Sequence, residues 1–349
     1  MKKVKTALLS FGMSGRVFHA PFISLHSGFE LAGSWERSKK EIEQHYPGSK
    51  SYASFDSLLN DDSLDLVIVN TPTNTHFEYA KKSLLANKHI VVEKAFTTTV
   101  AEARELKTLA EQRGKVISVF QNRRWDSDFK TVQQVVRTGV LGELKEVSFS
   151  YDRFNPALSP KLHKETPGPG AGVVYDLAPH ITDQALTLFG PPTHVFADIH
   201  VMRDASKVED YFEILLYYPK MRVRLRATYF AREPVPSYMV HGATGSFLKT
   251  RADVQEADLQ QGKKPGGSDW GTEPESEQGL LHTERDGKII RERVKTLQGN
   301  YIDYYEGVYN SIVNNQKPPV TVDDGILVMQ VIEAAFKSYR EKKVVDFNY

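Results

Sequence analysis

Apolar positions along this chain fall into two textures. Over the first third, short runs that are apolar on both faces (4–10, 29–35, 65–70, 89–93 and 115–121) alternate with stretches of helical periodicity such as 75–88 and 99–114. Near-continuous apolar strands separated by helices predict a parallel sheet covered on both sides, wound through right-handed crossovers. That is an α/β, doubly wound Rossmann domain over residues 1–123, with its ligand crevice at the carboxyl ends of the strands.

Beyond residue 124 the strands lengthen and alternate: 144–154, 194–202, 208–218, 222–230 and 237–250. Alternation suits an antiparallel sheet with one wetter face. Helices expected at 127–138, 176–189, 300–315 and 323–342 would cover its other side. The stretch 253–288, rich in Gly, Glu, Asp, Lys and Gln, reads as a surface excursion or lid. Residues 124–349 are therefore expected to form an α+β domain with a large, mainly antiparallel, open-faced sheet. This domain would serve substrate binding and oligomerisation, with a C-terminal helix able to pack back on the first domain.

Composition narrows the function classes. The 349 residues are 40% hydrophobic and 26% charged with a formal net charge of +1, which gives no electrostatic reason to expect nucleic acid or an anionic membrane as partner. There is no cysteine, which excludes disulfides, iron–sulfur clusters and thiol nucleophiles; a cytoplasmic protein is the simplest reading. The opening "MKKVKTALLSFG" imitates a signal peptide, but its apolar part is too short and no small-residue cleavage site follows. No apolar run reaches the roughly 18 residues that span a bilayer.

Candidate chemistry starts at "SFGMSG" (10–15), between the first strand and a helix. Against the pattern G-x-G-x-x-G it carries Ser10, Gly12 and Gly15. Gly12 would let a pyrophosphate approach the backbone, Gly15 would allow close helix–strand packing, and the amides from Met13 and Ser14 onward would face the anion. At the end of the second strand stand Glu36, Arg37 and Ser38. A carboxylate there accepts the ribose hydroxyls of NAD, whereas an arginine accommodates the extra phosphate of NADP. Arg37 with Ser38 tilts the choice modestly to NADP.

Two further strand ends border the same crevice. "NTPTNTH" (70–76) places Thr71 and Pro72 where a strand stops, Asn74 or Thr75 where a helix is capped, and His76 just beyond. "HIVVEKAF" (89–96) ends a buried run in Glu93 and Lys94, and a buried strand has no structural use for an ammonium group. Lys94 can donate to a substrate oxygen; a plain Glu93–Lys94 strand-end ion pair is the alternative. In the second domain, Asp176, His180, Asp183 and Thr187 form one polar stripe of a helix, opposite Leu177, Ile181, Ala185 and Leu188. Asp176 fits as its N-cap, with Pro179 in the first turn. A histidine one turn after an aspartate can serve as a proton-transfer pair; a surface or packed His180 with Asp176 merely a cap is the alternative, and the one the stripe favours when taken alone.

The glycine turn, "TPTNTH", "EKA", "QNRRWD" (121–126) and "YDLAPHITDQALTLFG" together resemble the glucose–fructose oxidoreductase / inositol dehydrogenase / MocA (Gfo/Idh/MocA) family over essentially the whole chain. "FGMSGRVFHAPF" and "NRRWDSDF" look most like its NADP-dependent scyllo-inositol dehydrogenases. The resemblance implies an NAD(P)-dependent oxidoreductase acting on a secondary alcohol of a polyol, inositol or sugar. No metal is expected, because proton transfer needs none and no clustered ligand spacing appears, and a sheet face without helical cover makes a homo-oligomer (dimer or tetramer) the expectation. The resemblance also implies that His180 is the general acid/base, Lys94 polarises the reacting oxygen and Asp176 binds substrate. Asn122 would lie near the nicotinamide, and Arg123, Trp125 and Tyr151 would line the approach. Two departures stand out. Ala95 replaces the family proline, leaving the backbone after Lys94 less restrained, and Leu162 and His163 replace a tryptophan–arginine pair, which bears on sugar specificity. A non-catalytic dinucleotide sensor and an NAD-dependent glycosidase are the alternatives on the same fold.

Overall fold

The computed structural model describes residues 3–36, 39–160, 165–233 and 235–349. They form two compact units. Unit 1 comprises Met1–Asn122, Gln255–Trp270 and Asn300–Ile326; unit 2 comprises Arg123–Val254, Gly271–Gly299 and Leu327–Tyr349.

Unit 1 is built on β1 (Val4–Leu8), β2 (Phe29–Trp35), β3 (Lys50–Tyr52), β4 (Leu66–Val69), β5 (His89–Val92) and β6 (Ile117–Val119). They pair in parallel in the order β3-β2-β1-β4-β5-β6, the doubly wound arrangement expected. Strand order reverses between β1 and β4, so the crevice of such a sheet lies there. The β4 residues are all buried, because helices cover both faces: α1 (Ala20–Leu25), α2 (Ile42–His45), α3 (Phe55–Leu59), α4 (His76–Leu85) and α5 (Val100–Arg113). Local signals set α5 closely. The Thr99 hydroxyl accepts from the Glu102 amide while the Glu102 carboxylate accepts from the Thr99 amide, and Gly114 ends the helix at φ 59°.

Unit 2 carries α6 (Ser127–Thr138), β7 (Leu144–Ser150), α7 (Gly172–Asp176), α8 (Ala178–Phe189) and strands β8 (His194–His200), β9 (Tyr211–Tyr217), β10 (Arg222–Thr228), β11 (Tyr238–Gly242), β12 (Gly245–Lys249), β13 (Gly279–Arg285), β14 (Lys288–Val294) and β15 (Val345–Asp346). The nine strands order as β14-β13-β12-β11-β7-β10-β9-β8-β15, and only β7 and β10 pair in parallel. Inward residues such as Val195, Ala197, Phe212, Ile214 and Leu216 are buried, while the alternate positions are wetter. The mainly antiparallel, open-faced sheet is as expected.

Three expectations are corrected. The run 237–250 is a hairpin, β11 and β12, and not one strand. Residues 253–288 are only partly a surface excursion, since β13 and the start of β14 lie within them; Asp286 (φ 53°) and Gly287 (φ 70°) supply the two left-handed residues that a tight hairpin turn requires. The helix expected over 176–189 is two helices. Asp176 closes α7 and Leu177 takes the N-cap position of α8, because Pro179 has no N–H to continue the ladder from one helix into the next.

The late segments differ from the linear division into 1–123 and 124–349. Helix α9 (Gln255–Gln260) and α10 (Ile302–Val313) belong to unit 1, and α11 (Val322–Glu341) gives its first residues, up to Ile326, to unit 1 and the rest to unit 2. The cause is an aromatic face. Tyr301, Tyr304 and Tyr305 are fully buried, packing their rings against Phe18, Phe22, Phe29 and Phe120.

Candidate active site

The glycine turn is tight for an identifiable reason. A Cβ on Gly15 would overlap the Ser10 carbonyl, which also accepts from Asn70 Nδ2 at 2.8 Å. Ser10 replaces the first glycine of the pattern without loss, because its hydroxyl accepts the Gly12 amide at 3.1 Å. Gly12 and Met13 stay exposed at the head of a wide helical turn, Gly15–His19. The backbone that a pyrophosphate would approach is therefore open, and the cradle fits a dinucleotide. Asn70 Oδ1 is buried beside it with no hydrogen-bond partner.

At the end of β2, Glu36 is already committed. Its carboxylate accepts from the Ile42 amide (3.0 Å), the Glu41 amide (2.9 Å) and the Ser34 hydroxyl (3.1 Å), so it organises the α2 entry. Arg37 and Ser38 lie outside the described residues, as do Leu162 and His163.

The loops after β4 and β5 are stitched together by His76. This imidazole, 1% exposed, places Nδ1 2.8 Å from the Ala95 carbonyl and Nε2 2.8 Å from the Thr71 carbonyl. Burial lowers its pKa, outweighing both carbonyls. His76 is thus a clamp, and it restrains the backbone after Lys94 in the way the missing proline does not. The Lys94–Ala95 peptide is cis. Thr75 holds the N-cap position of α4 but caps nothing; its hydroxyl donates to the Pro72 carbonyl and contacts Thr71 Oγ1, both at 2.7 Å. Pro72 and Asn74 are exposed.

Glu93 has partners beyond its neighbour Lys94. Its Oε1 accepts from Ser14 Oγ at 2.5 Å and faces His19 Nε2 at 3.0 Å; Oε2 lies 3.3 Å from the Lys94 amide. Burial pushes its pKa up, yet His19, then Ser14 and the Lys94 charge outweigh burial and leave it lowered. His19 in turn meets the Tyr305 hydroxyl at 2.8 Å, and that hydroxyl lies 2.6 Å from the Phe18 carbonyl. The glycine turn, the end of β5 and α10 are thereby joined through polar contacts. Sequence reasoning missed His19 and Tyr305, because 286 positions separate them.

In unit 2, His180 is 6% exposed on α8 and its ring lies 6.0 Å from that of Tyr151. Asp176 ends α7 one turn earlier, close enough to raise the Tyr229 pKa, after burial, by its charge. Within the polar stripe Asp183 is buried and paired: Arg124 grips it through Nε (2.7 Å) and Nη2 (2.6 Å), a pair without a local signal in the sequence. Arg123 lies 3.6 Å from Asp126, its carbonyl accepts from Gln184 Nε2 at 3.1 Å, and Trp125 is half-buried. Asn122, 4% exposed, closes the first segment of unit 1. Each unit gathers its own candidates: Ser14, Glu93, Lys94 and the 71–76 loop in one, Tyr151 and His180 with Asp176 in the other.

A parallel sheet with a glycine cradle at its switch point defines a Rossmann-type dinucleotide-binding domain. Family profiles agree: residues 4–121 match the oxidoreductase family's NAD-binding Rossmann fold, and 133–347 match its C-terminal alpha/beta domain. The chain belongs to the Gfo/Idh/MocA oxidoreductase family and is an NAD(P)-dependent dehydrogenase. It is 38% identical over 339 residues to the uncharacterized oxidoreductase YdgJ of Escherichia coli, covering 97% of each chain. It is 34% identical over 342 residues to the scyllo-inositol 2-dehydrogenase (NADP(+)) IolW of Bacillus subtilis, covering 98% of this chain and 95% of that one. A solved oxidoreductase from Bacillus cereus superposes with a TM-score of 0.92 at 30% identity over 99% of each chain.

Proposed function

We propose that this dehydrogenase moves a hydride between a secondary alcohol of a polyol, inositol or sugar and a nicotinamide, with NADP favoured over NAD. The observation that carries it is the engagement of Glu93 Oε1 by Ser14 and His19, which ties the strand end carrying Lys94 to the glycine turn that would cradle a dinucleotide. The whole-length similarity to an inositol dehydrogenase supports the substrate class.

The nicotinamide, when bound, supplies the hydride chemistry. This chain's residues do the rest. In the oxidation direction His180 takes the hydroxyl proton as the carbon loses hydride. Lys94 donates to the same oxygen and stabilises the charge that develops on it. Asp176 binds a neighbouring substrate hydroxyl, and Arg123, Trp125 and Tyr151 line the approach. Gly12, Met13, Ser14 and Gly15 would hold the pyrophosphate, and Thr71, Pro72, Asn74 and Asn122 would border the nicotinamide. The engagement of Glu36 by three donors supports reading NADP through Arg37 and Ser38.

Incubation with a polyol panel and either cofactor, followed at the absorbance of reduced nicotinamide, tests the reading; no reduction with any member would end it. We further infer a cytoplasmic homo-oligomer joined through the outer face of the nine-stranded sheet, where Phe196 is 37% exposed. Phe196→Glu should then lower the mass measured by light scattering, and an unchanged mass would reject that face.

A further inference from the structure

One half-buried arginine in unit 2 has guanidinium donors that the protein does not use. Arg251 follows β12 and stacks between two aromatic rings, its Cζ 4.4 Å from the centre of Tyr151 and 4.7 Å from that of Tyr238. Its Nη2 lies 3.4 Å from the Ser150 carbonyl, but Nε and Nη1 are buried with no hydrogen-bond partner. Tyr151 is the same ring that faces His180, so Arg251 stands one ring away from the proposed acid/base.

The loop that carries it is fixed. Asp128 Oδ2 accepts the amides of Ala252 (2.9 Å) and Asp253 (3.1 Å), and Asp253 Oδ2 accepts the Ser127 amide in return at 2.9 Å. Ser127 Oγ also reaches Glu273 at 2.6 Å, and Glu273 pairs with the fully buried Lys249 at 2.5 Å. A half-buried arginine on a loop held this rigidly, with two buried nitrogens unmet, is organised for an acceptor from outside the chain.

Charge decides what that acceptor is. Arg124 pairs with Asp183 and Arg123 with Asp126, while Asp128 lies close enough to Arg251 to stabilise its charge against burial. Asp176 and Arg153 both act on Tyr229 and offset each other. What Arg251 lacks is hydrogen-bond acceptors, not a counter-charge, and a ligand carboxylate would bring an excess negative charge into a buried site.

We propose that Arg251 is a specificity-determining residue that donates Nε–H and Nη1–H to non-reacting hydroxyls of a neutral polyol and thereby disfavours carboxylated ones. The inference rests on the polyol reading above. Binding of scyllo-inositol and of quinate, a cyclitol carrying a carboxylate, is measured by calorimetry on the NADP complex, with turnover measured in parallel. Arg251→Met should raise the Kd and KM for scyllo-inositol roughly ten- to hundredfold with kcat within about threefold, and Arg251→Lys should recover part of the loss. Unchanged Kd and KM, or a loss confined to kcat, overturns it. Should Arg251→Met not fold, the wild type decides: quinate must bind at least about tenfold more weakly than scyllo-inositol, and equal or tighter binding overturns the proposal. Arg251-dependent binding without turnover would instead overturn the dehydrogenase reading alone, and binding of neither probe would sink both.

Discussion

The strand ends of unit 1 and the helical turns of unit 2 each bury a glutamate, and they hold it in opposite ways. Glu93 is pushed up by burial but pulled below the ordinary carboxylate range by His19, Ser14 and the Lys94 charge. Glu209 has a buried Oε1 with no hydrogen-bond partner; burial pushes it up to about 7, the nearby Glu209 and Val174 amides pull it only part of the way back, and Asp210 adds to the rise. Donors, not depth, decide which carboxylate stays charged. The same contrast separates the candidate catalytic groups: unit 1 fixes charge at the end of a strand, whereas unit 2 holds His180, the proposed proton carrier.

The contrast is broken most forcefully at His180. His180→Asn keeps a hydrogen-bonding side chain but cannot take up a proton near neutral pH. Turnover should fall about 10²–10⁴-fold, and the acid-side decline of the oxidation rate should vanish from the pH profile. Lys94→Met should cost about 10²–10³-fold in turnover and yet preserve that decline, with cofactor affinity, from fluorescence titration, kept within about tenfold. A Lys94 variant that loses the acid limb while the His180 variant keeps it would exchange the two roles.

Arg37→Ala sharpens the cofactor side. Loss of one charge-assisted contact of ~1.5–3 kcal/mol should raise the KM for NADP roughly ten- to hundredfold and leave that for NAD nearly unchanged; equal rises would retire the NADP preference.

The smallest effects are the opposite pH slopes of the two glutamates. Glu93 has a folded pKa below its ordinary 4.5, so its contribution is present above that value and is lost as pH falls through the folded pKa. Glu93→Gln should lower neutral-pH stability by roughly 1–3 kcal/mol and flatten the acid limb of urea unfolding. Glu209, raised from 4.5 to about 7, loses stability as pH rises between those values. Glu209→Gln should match the wild type below pH 4.5 and exceed it at pH 8 by roughly 1 kcal/mol after solvent screening. Parallel curves for wild type and variant would reject either assignment.

Much of this architecture is legible in the chain. Buried parallel strands are written as continuous apolar runs, and caps such as Thr99 with Glu102 are local. The three-residue β3 is too short to register. The β13–β14 hairpin carried an Asp286-Gly287 turn signal, hidden within a polar stretch that reads as surface. At the site, Lys94 and His180 stand out because a strand end and a helix stripe are local features. Arg124 with Asp183, His19 with Tyr305, and Arg251 with Tyr151 become visible only in three dimensions, since nothing near any of these residues names its partner.

Transfer of the carbon-bound hydrogen tests the central claim most directly. Inositols deuterated at every ring carbon should be incubated with NADP and the enzyme, and the mass of the reduced cofactor recorded. Direct hydride transfer predicts one deuterium in each reduced nicotinamide, in ordinary water and without washout. Reduced cofactor carrying only solvent hydrogen, or none formed while the cofactor demonstrably binds, would contradict it.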